Sequence, residues 1–241
     1  MTDIGDNIAR VSERISTAAD RAGRKPEEIT LVAITKTVPT GMIEEARRAG
    51  LRQFGENQVR EAEFKVLWSR DAGMNLEWHM VGHLQRNKVK KAIQLFDMIQ
   101  SVDSVRLAQE ISRRCHALGT SMPLLLEVNV SGESSKYGFV ASEVDGRQEE
   151  RLLRSTEQIV DLPNLEPQGL MTIAPFEAPE KILRSCFSRL RQLLETLRAA
   201  FPAHNWKHLS MGMTDDFEAA IPEGATIVRI GRAIFGERRD Y

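Results

Sequence analysis

Short apolar runs alternate with longer amphipathic stretches along most of this chain. From Ile4 to Ala22 the apolar residues Ile4, Ile8, Val11, Ile15 and Ala18 recur at three- and four-residue steps, which predicts a helix with one buried stripe. The run Ile29 to Ile34 that follows is nearly continuous in β-branched and aliphatic residues, as expected for a strand covered on both faces. Further strands are predicted at Gln53-Phe54, Glu77 to Val81, Met98 to Ser101, Leu124 to Val130, Pro167 to Met171, Lys207 to Leu209 and Thr226 to Ile230. Between them helical spacing covers Met42 to Ala49, Glu56 to Trp68, Asn87 to Leu95, Val105 to Leu118, Gln148 to Val160, Glu180 to Ala200, Asp215 to Ala220 and Arg232 to Phe235.

Strands that alternate with helices indicate βαβ units and a parallel sheet. Eight such units favour a closed TIM-type (β/α)8 barrel over an open doubly wound sheet. No repeat, low-complexity linker or shift in composition divides the 241 residues, so residues 1–241 are read as one domain. In a barrel the C-terminal ends of the strands form the active face, which places Lys36, just past the first strand, at its mouth.

Composition narrows the function without naming it. Hydrophobic residues make up 41% and charged residues 28%, an ordinary globular balance that supplies a core. A formal net charge of -1 argues against a general nucleic-acid or membrane binder. The two cysteines, Cys115 and Cys186, lie far apart in helical segments and form no metal or disulfide spacing, which fits a reducing cytoplasm. The opening "MTDIGDNIARVSERI" mixes acids and arginines with its apolar residues, so no signal peptide is expected, and no run of about 18 apolar residues predicts a membrane span.

Three stretches carry candidate chemistry. In "ITLVAITKTVP", residues 29–39, Lys36 is either a solvated loop residue or an amine partly desolvated beside an apolar strand, and a neutral amine of that kind forms a Schiff base with an aldehyde. In "HLSMGMTDDFEAAI", residues 208–221, Ser210, Gly212 and Thr214 precede a predicted helix, where hydroxyls and free N–H groups suit a phosphate; Thr214 is equally read as a simple helix cap. In "IVRIGRAIFG", residues 227–236, Gly231 follows a strand and lets a phosphate approach the backbone, or merely makes a tight turn. Two phosphate-compatible turns after the last two strands match the usual anion site of barrel enzymes.

Other clusters are less specific. Glu56 and Asn57 in "FGENQVRE" either face a ligand or start and cap the next helix. His79 and His83 have helical zinc spacing but fall in a strand and turn without the H-E-x-x-H glutamate, so no metal is expected. Arg86, Lys88, Lys90 and Lys91 read as a solvated helix face, and "SGESSKYGF", residues 131–139, as a loop near the mouth.

Taken in order, "LVAITKTVP", "FGENQVRE", "EWHMVGHLQRNKVK", "SVDS", "KYGF", "GLMTI", "LSMGMTDDFEAAI" and "VRIGRAIFGER" resemble the YggS/PROSC family of pyridoxal 5′-phosphate homeostasis proteins, whose fold is similar to the barrel domain of alanine racemase. The resemblance covers nearly the whole chain. It implies that pyridoxal phosphate is the cofactor and that Lys36 forms the internal aldimine with it. It further implies that Ser210, Thr214, Gly231 and the backbone of Arg232 hold the phosphate, that Asn57 lies near the cofactor, that Arg229 approaches the pyridine nitrogen, and that Met171 and His79 line the pocket. Thr214 stands where serine is frequent in the family, and Arg232 where a small hydroxyl residue is frequent.

A cation at the pyridine nitrogen disfavours ring protonation and weakens the cofactor as an electron sink. Alanine racemase also carries a further β domain and a tyrosine base from a partner subunit, whereas the tyrosines here are Tyr137 and Tyr241, in no comparable motif. The expectation is therefore a cytoplasmic, monomeric, non-catalytic carrier of pyridoxal phosphate with apoenzymes as its recipients. A small amino-acid racemase is the alternative, and a barrel that binds a phosphorylated sugar is a third reading.

Overall fold

The computed structural model describes residues 3–143 and 146–237. Helix α1 (Ile4–Arg21) leads into β1 (Thr30–Ile34), followed by α2 (Thr40–Arg48), β2 (Gln53–Glu56), α3 (Val59–Asp71), β3 (Glu77–Met80), α4 (Val89–Leu95), β4 (Met98–Val102), α5 (Val105–Leu118) and β5 (Met122–Asn129). A short β6 (Phe139–Val140) precedes α6 (Arg147–Val160), β7 (Leu165–Met171), α7 (Glu180–Ala200), β8 (His208–Ser210), α8 (Phe217–Ala220), β9 (Ile227–Ile230) and α9 (Arg232–Phe235). All recorded pairings are parallel, and the ring runs β1-β2-β3-β4-β5-β7-β8-β9, closing where β9 pairs with β1. The predicted eight-stranded (β/α)8 barrel is the observed fold.

Differences from the sequence reading sit at the mouth. Strand β6 lies at the end of the stretch read as a loop and pairs with the part of β5 that projects beyond its ring partners, Val128 opposite Phe139. Two residues carry no period, so the pattern could not reveal it. Helix α3 begins at Val59 rather than Glu56, which ends β2 ahead of Gln58 in extended backbone (φ -135°), and α8 begins at Phe217 rather than Asp215, since Asp216 lies at φ -137°, outside helical geometry. Thr214 therefore lies outside the capping position of α8, which Asp216 occupies.

Period-two alternation sorts the strand side chains into two cores. The larger fills the space between sheet and helices, where Phe54, Trp78, Ile99, Leu124, Leu126, Leu170 and Val228 meet helix residues such as Ile43, Ile111, Phe187 and Leu190. The smaller lies inside the ring: Val32, Met98, Leu125, Met171 and Ile227, with Ile34 packed on them. Helix α1 closes the outer layer against α2, α8 and α9, and Asn7 Nδ2 donates to the buried Ile234 carbonyl at 2.8 Å. Both cysteines are buried and free. Among the described residues no helix is long and apolar enough to cross a membrane.

Candidate functional site

Two residues beyond three members of the inner apolar cluster, on the same strand face, the side chains turn polar. Met98 gives way to Gln100, Leu125 to Glu127 and Ile227 to Arg229, and beyond Val32 and Ile34 the same parity brings Lys36 to the mouth. A polar chain crosses the barrel at this level. Arg229 Nη1 donates to Ser210 Oγ at 2.7 Å, and Ser210 Oγ donates to Gln100 Oε1 at 2.6 Å. Gln100 Nε2 lies 2.7 Å from His79 Nδ1, and His79 Nε2 lies 3.2 Å from Glu77 Oε1. With the Gln100 oxygen taken by Ser210, its amide donates to Nδ1, which leaves the Nε2 proton for Glu77. Arg229 Nη2 donates to the Thr172 carbonyl at 2.8 Å.

Burial sets the charges here. It pulls the Arg229 guanidinium down to about 10, against the pull of Asp216 and Glu127, so the group stays protonated near neutrality. It pushes the Glu127 carboxyl up to about 7, helped by Asp103 and opposed by Arg229, and Glu127 Oε2 is buried without a hydrogen-bond partner. Asp216 is raised by burial too, although its Oδ1 accepts the Met213 N–H at 2.5 Å.

Lys36 lies on the wall of a cavity of about 990 Å³ that it shares with Ile34, Thr37, Met42, Gly231 and Arg232. Among the described residues no hydrogen bond or ion pair engages its amine. Gly231 brings backbone to the cavity wall: a Cβ there would stand 3.3 Å from the Ile34 carbonyl oxygen. The Arg232 side chain reaches back to Asp215 and lies 3.6 Å from Glu237, tying the turn after β9 to the turn after β8. Asn57 carries a buried Oδ1 with no partner and is crowded by Gly82, where a Cβ would stand 2.4 Å from the Asn57 carbonyl oxygen.

The structure thus unites Lys36, Gly231 and Arg232 around one cavity. Ser210 and Arg229 meet in the polar chain; Asn57 and Thr214 flank the mouth in the loops after β2 and β8; Met171 is wholly buried in the apolar cluster, and His79 reaches toward the opposite rim. None of these six lines that cavity. His83 pairs with Asp103 at 2.9 Å and stacks on Tyr137 at 3.8 Å; Tyr241 lies outside the described residues. Among the described residues no group of three or more His, Cys, Asp or Glu is placed to hold a metal. Gln100 and Glu127 escaped the sequence reading, although each is a buried polar residue in a largely apolar strand, a signal that Arg229 shares but that the family resemblance alone brought to notice.

A parallel barrel with a lone amine after its first strand, a buried arginine on its last and two small turns beside them defines the alanine racemase N-terminal domain class. The family model "Alanine racemase, N-terminal domain" matches residues 7–239. Within that class the chain belongs to the family of pyridoxal phosphate homeostasis proteins. The pyridoxal phosphate homeostasis protein of Pseudomonas aeruginosa is 42% identical over 241 residues, covering 100% of this chain and 98% of the relative. The structure of PipY from Synechococcus elongatus with pyridoxal phosphate bound is 34% identical with a TM-score of 0.80, covering 94% of this chain and 100% of that one. A Clostridium difficile alanine racemase, 15% identical with a TM-score of 0.69, shares the fold over 99% of this chain and 56% of its own.

Proposed function

We propose that this protein binds pyridoxal 5′-phosphate through Lys36 and serves cofactor homeostasis in the cytoplasm as a monomeric, non-catalytic carrier whose recipients are apoenzymes. The observation that carries the reading is the Lys36 amine, unpaired among the described residues, on the same cavity wall as the Gly231 turn and Arg232. When bound, the cofactor supplies an aldehyde that condenses with a primary amine, releasing water and forming a C=N bond.

The residues present fit such a group. Gly231 offers backbone without a side chain in the way, Arg232 offers charge, and the Thr214 hydroxyl, which has no hydrogen-bond partner among the described residues, can donate to phosphate. Ser210 gives its proton to Gln100, so its part here is to seat Arg229 while Thr214 and the Gly231 turn take the phosphate. The orphan Asn57 Oδ1 is an acceptor in want of a donor near the mouth. His79 and Met171 act from below, the first through the polar chain and the second by packing. Arg229 has donors only, so it cannot accept a proton from a pyridinium, and its charge keeps an adjacent pyridine nitrogen bare. Carbanion chemistry is correspondingly weak.

A racemase remains the rival because Glu127 titrates near neutrality on β5 and offers an acid–base group that the sequence did not advertise. Reducing the cofactor-loaded protein with borohydride and mapping the digest by mass spectrometry tests the main reading. A pyridoxyl group on the Lys36 peptide, lost in Lys36→Ala, is expected; an adduct elsewhere refutes it. Sustained interconversion of single-enantiomer alanine by the loaded protein would instead establish the racemase.

A further inference from the structure

The motif "FGENQVRE" supplies Glu56 and Glu61, two acids that the cofactor reading leaves without a task. Both meet the ammonium of Lys65, which is buried on α3: Nζ lies 2.7 Å from Glu56 Oε1 and 2.6 Å from Glu61 Oε1. The third partner of that ammonium is the Thr35 carbonyl oxygen, at 2.5 Å. Thr35 Oγ1 donates to Glu56 Oε1 at 2.6 Å, and the Thr37 N–H donates to Glu61 Oε1 at 2.5 Å. The triad therefore grips the backbone on both sides of Lys36.

That backbone needs holding. Val38 N–H donates to the Thr35 carbonyl at 2.9 Å, closing a four-residue turn with Lys36 and Thr37 at its centre. Thr37 sits at φ 63°, a left-handed conformation that a β-branched residue rarely adopts and that turns of this kind normally give to glycine or asparagine. Its Oγ1 donates to the Lys36 carbonyl at 2.6 Å, which alone does not fix the Thr37 amide. The amide is fixed from α3. A lysine in the second position of a turn has its Cα–Cβ direction set by that turn, so holding the turn fixes the direction in which the Lys36 side chain leaves the backbone.

We propose that Glu56, Lys65 and Glu61 form a positioning clamp that locks the Thr35–Val38 turn and thereby aims the Lys36 amine into the cavity. The role of Lys36 as the cofactor-bearing amine rests on the reading above, whereas the clamp can be read without cofactor. Two measurements separate them: hydrogen exchange of the Thr37 amide by NMR in the protein without added cofactor, and the rate at which added pyridoxal phosphate yields a borohydride-stable adduct on the Lys36 peptide.

Glu61 is partly exposed, so Glu61→Ala is expected to stay folded by circular dichroism. It should cut Thr37 protection and slow adduct formation by about tenfold each, the loss of one charge-assisted hydrogen bond. Glu61→Gln keeps an oxygen for the Thr37 amide and should return both to within about threefold of the parent. A merely stabilising triad would lower the melting temperature of Glu61→Ala and leave the folded protein's adduct rate alone, and that result overturns the clamp. So does a looser Thr37 amide with no slowing at Lys36. If the parent takes no adduct on Lys36 while Glu61→Ala still deprotects Thr37, the cofactor reading falls and the grip on the turn stands.

Discussion

The two halves of the barrel interior share β4, β5 and β9, where they lie a single pleat repeat apart, yet they are built on opposite principles. Val32, Met98, Leu125, Met171 and Ile227 fill the ring with aliphatic and thioether volume that asks nothing of its neighbours but contact. Gln100, Glu127, Ser210 and Arg229, further along, are each fixed by a named partner or left short of one. The apolar half can be repacked by anything of similar shape, whereas in the polar half removing one member strands another. A barrel of this kind therefore separates holding itself together from holding a ligand, along the axis rather than between domains.

Substitutions sharpen that contrast. The largest effect is expected of Arg229→Leu, which leaves the Thr172 carbonyl and the buried Glu127 and Asp216 carboxyls without their cation; urea denaturation should show a loss of about 3–5 kcal/mol. Leu125→Ala, in the apolar half, should cost about 2–4 kcal/mol by cavity formation, and Leu125→Met less than about 1.5 kcal/mol in the same assay. No volume-matched replacement should rescue Arg229 in that way. If Arg229→Leu and Leu125→Met prove equally mild, the contrast fails.

Next in size is a pH effect. Glu127 ionises near 4.5 when unfolded and at about 7 when folded, so its protonated form stabilises the fold at low pH and that contribution is lost as pH rises from about 4.5 to about 7. Glu127→Gln removes the loss, so its stability relative to the parent should grow across that window, by on the order of 1–3 kcal/mol at its end. Chemical denaturation of the pair at several pH values cancels contributions common to both, including His208, which burial holds down at about 4. A difference that does not vary with pH would contradict the buried acid. The smallest change is expected of Gln100→Leu, which deprives Ser210 and His79 of a partner each while filling the space, at about 1–2 kcal/mol in the denaturation midpoint.

The apolar half was legible in the sequence and the polar half only in part. Helices at Val105–Leu118 and Glu180–Ala200 have the limits their periodicity predicts, since a continuous buried stripe and clean ends leave no competing geometry. At the end of β2, Glu56 reads equally as a ligand contact or as the start of the next helix; its carboxylate is drawn instead to Lys65 and Thr35, contacts between segments that spacing does not relate. Lys36 stands out as a charge just past an apolar strand, whereas Arg229, a charge within one, enters only through the family resemblance. Gln100 and Glu127 carry the same mark, but what gives it meaning is a partner on another strand, and pairing across a ring is not written in any local period.

The ring closes by joining its first strand to its last, Val32 opposite Arg229, with helix α1 latched to α9 through Asn7. Lys36 and the Gly231 turn are thus neighbours only once the first and last strands of the ring have met. During synthesis β9 follows every other strand of the ring, so a chain interrupted before it lacks a complete pocket, and aldehyde capture at Lys36 reports that the circle has closed.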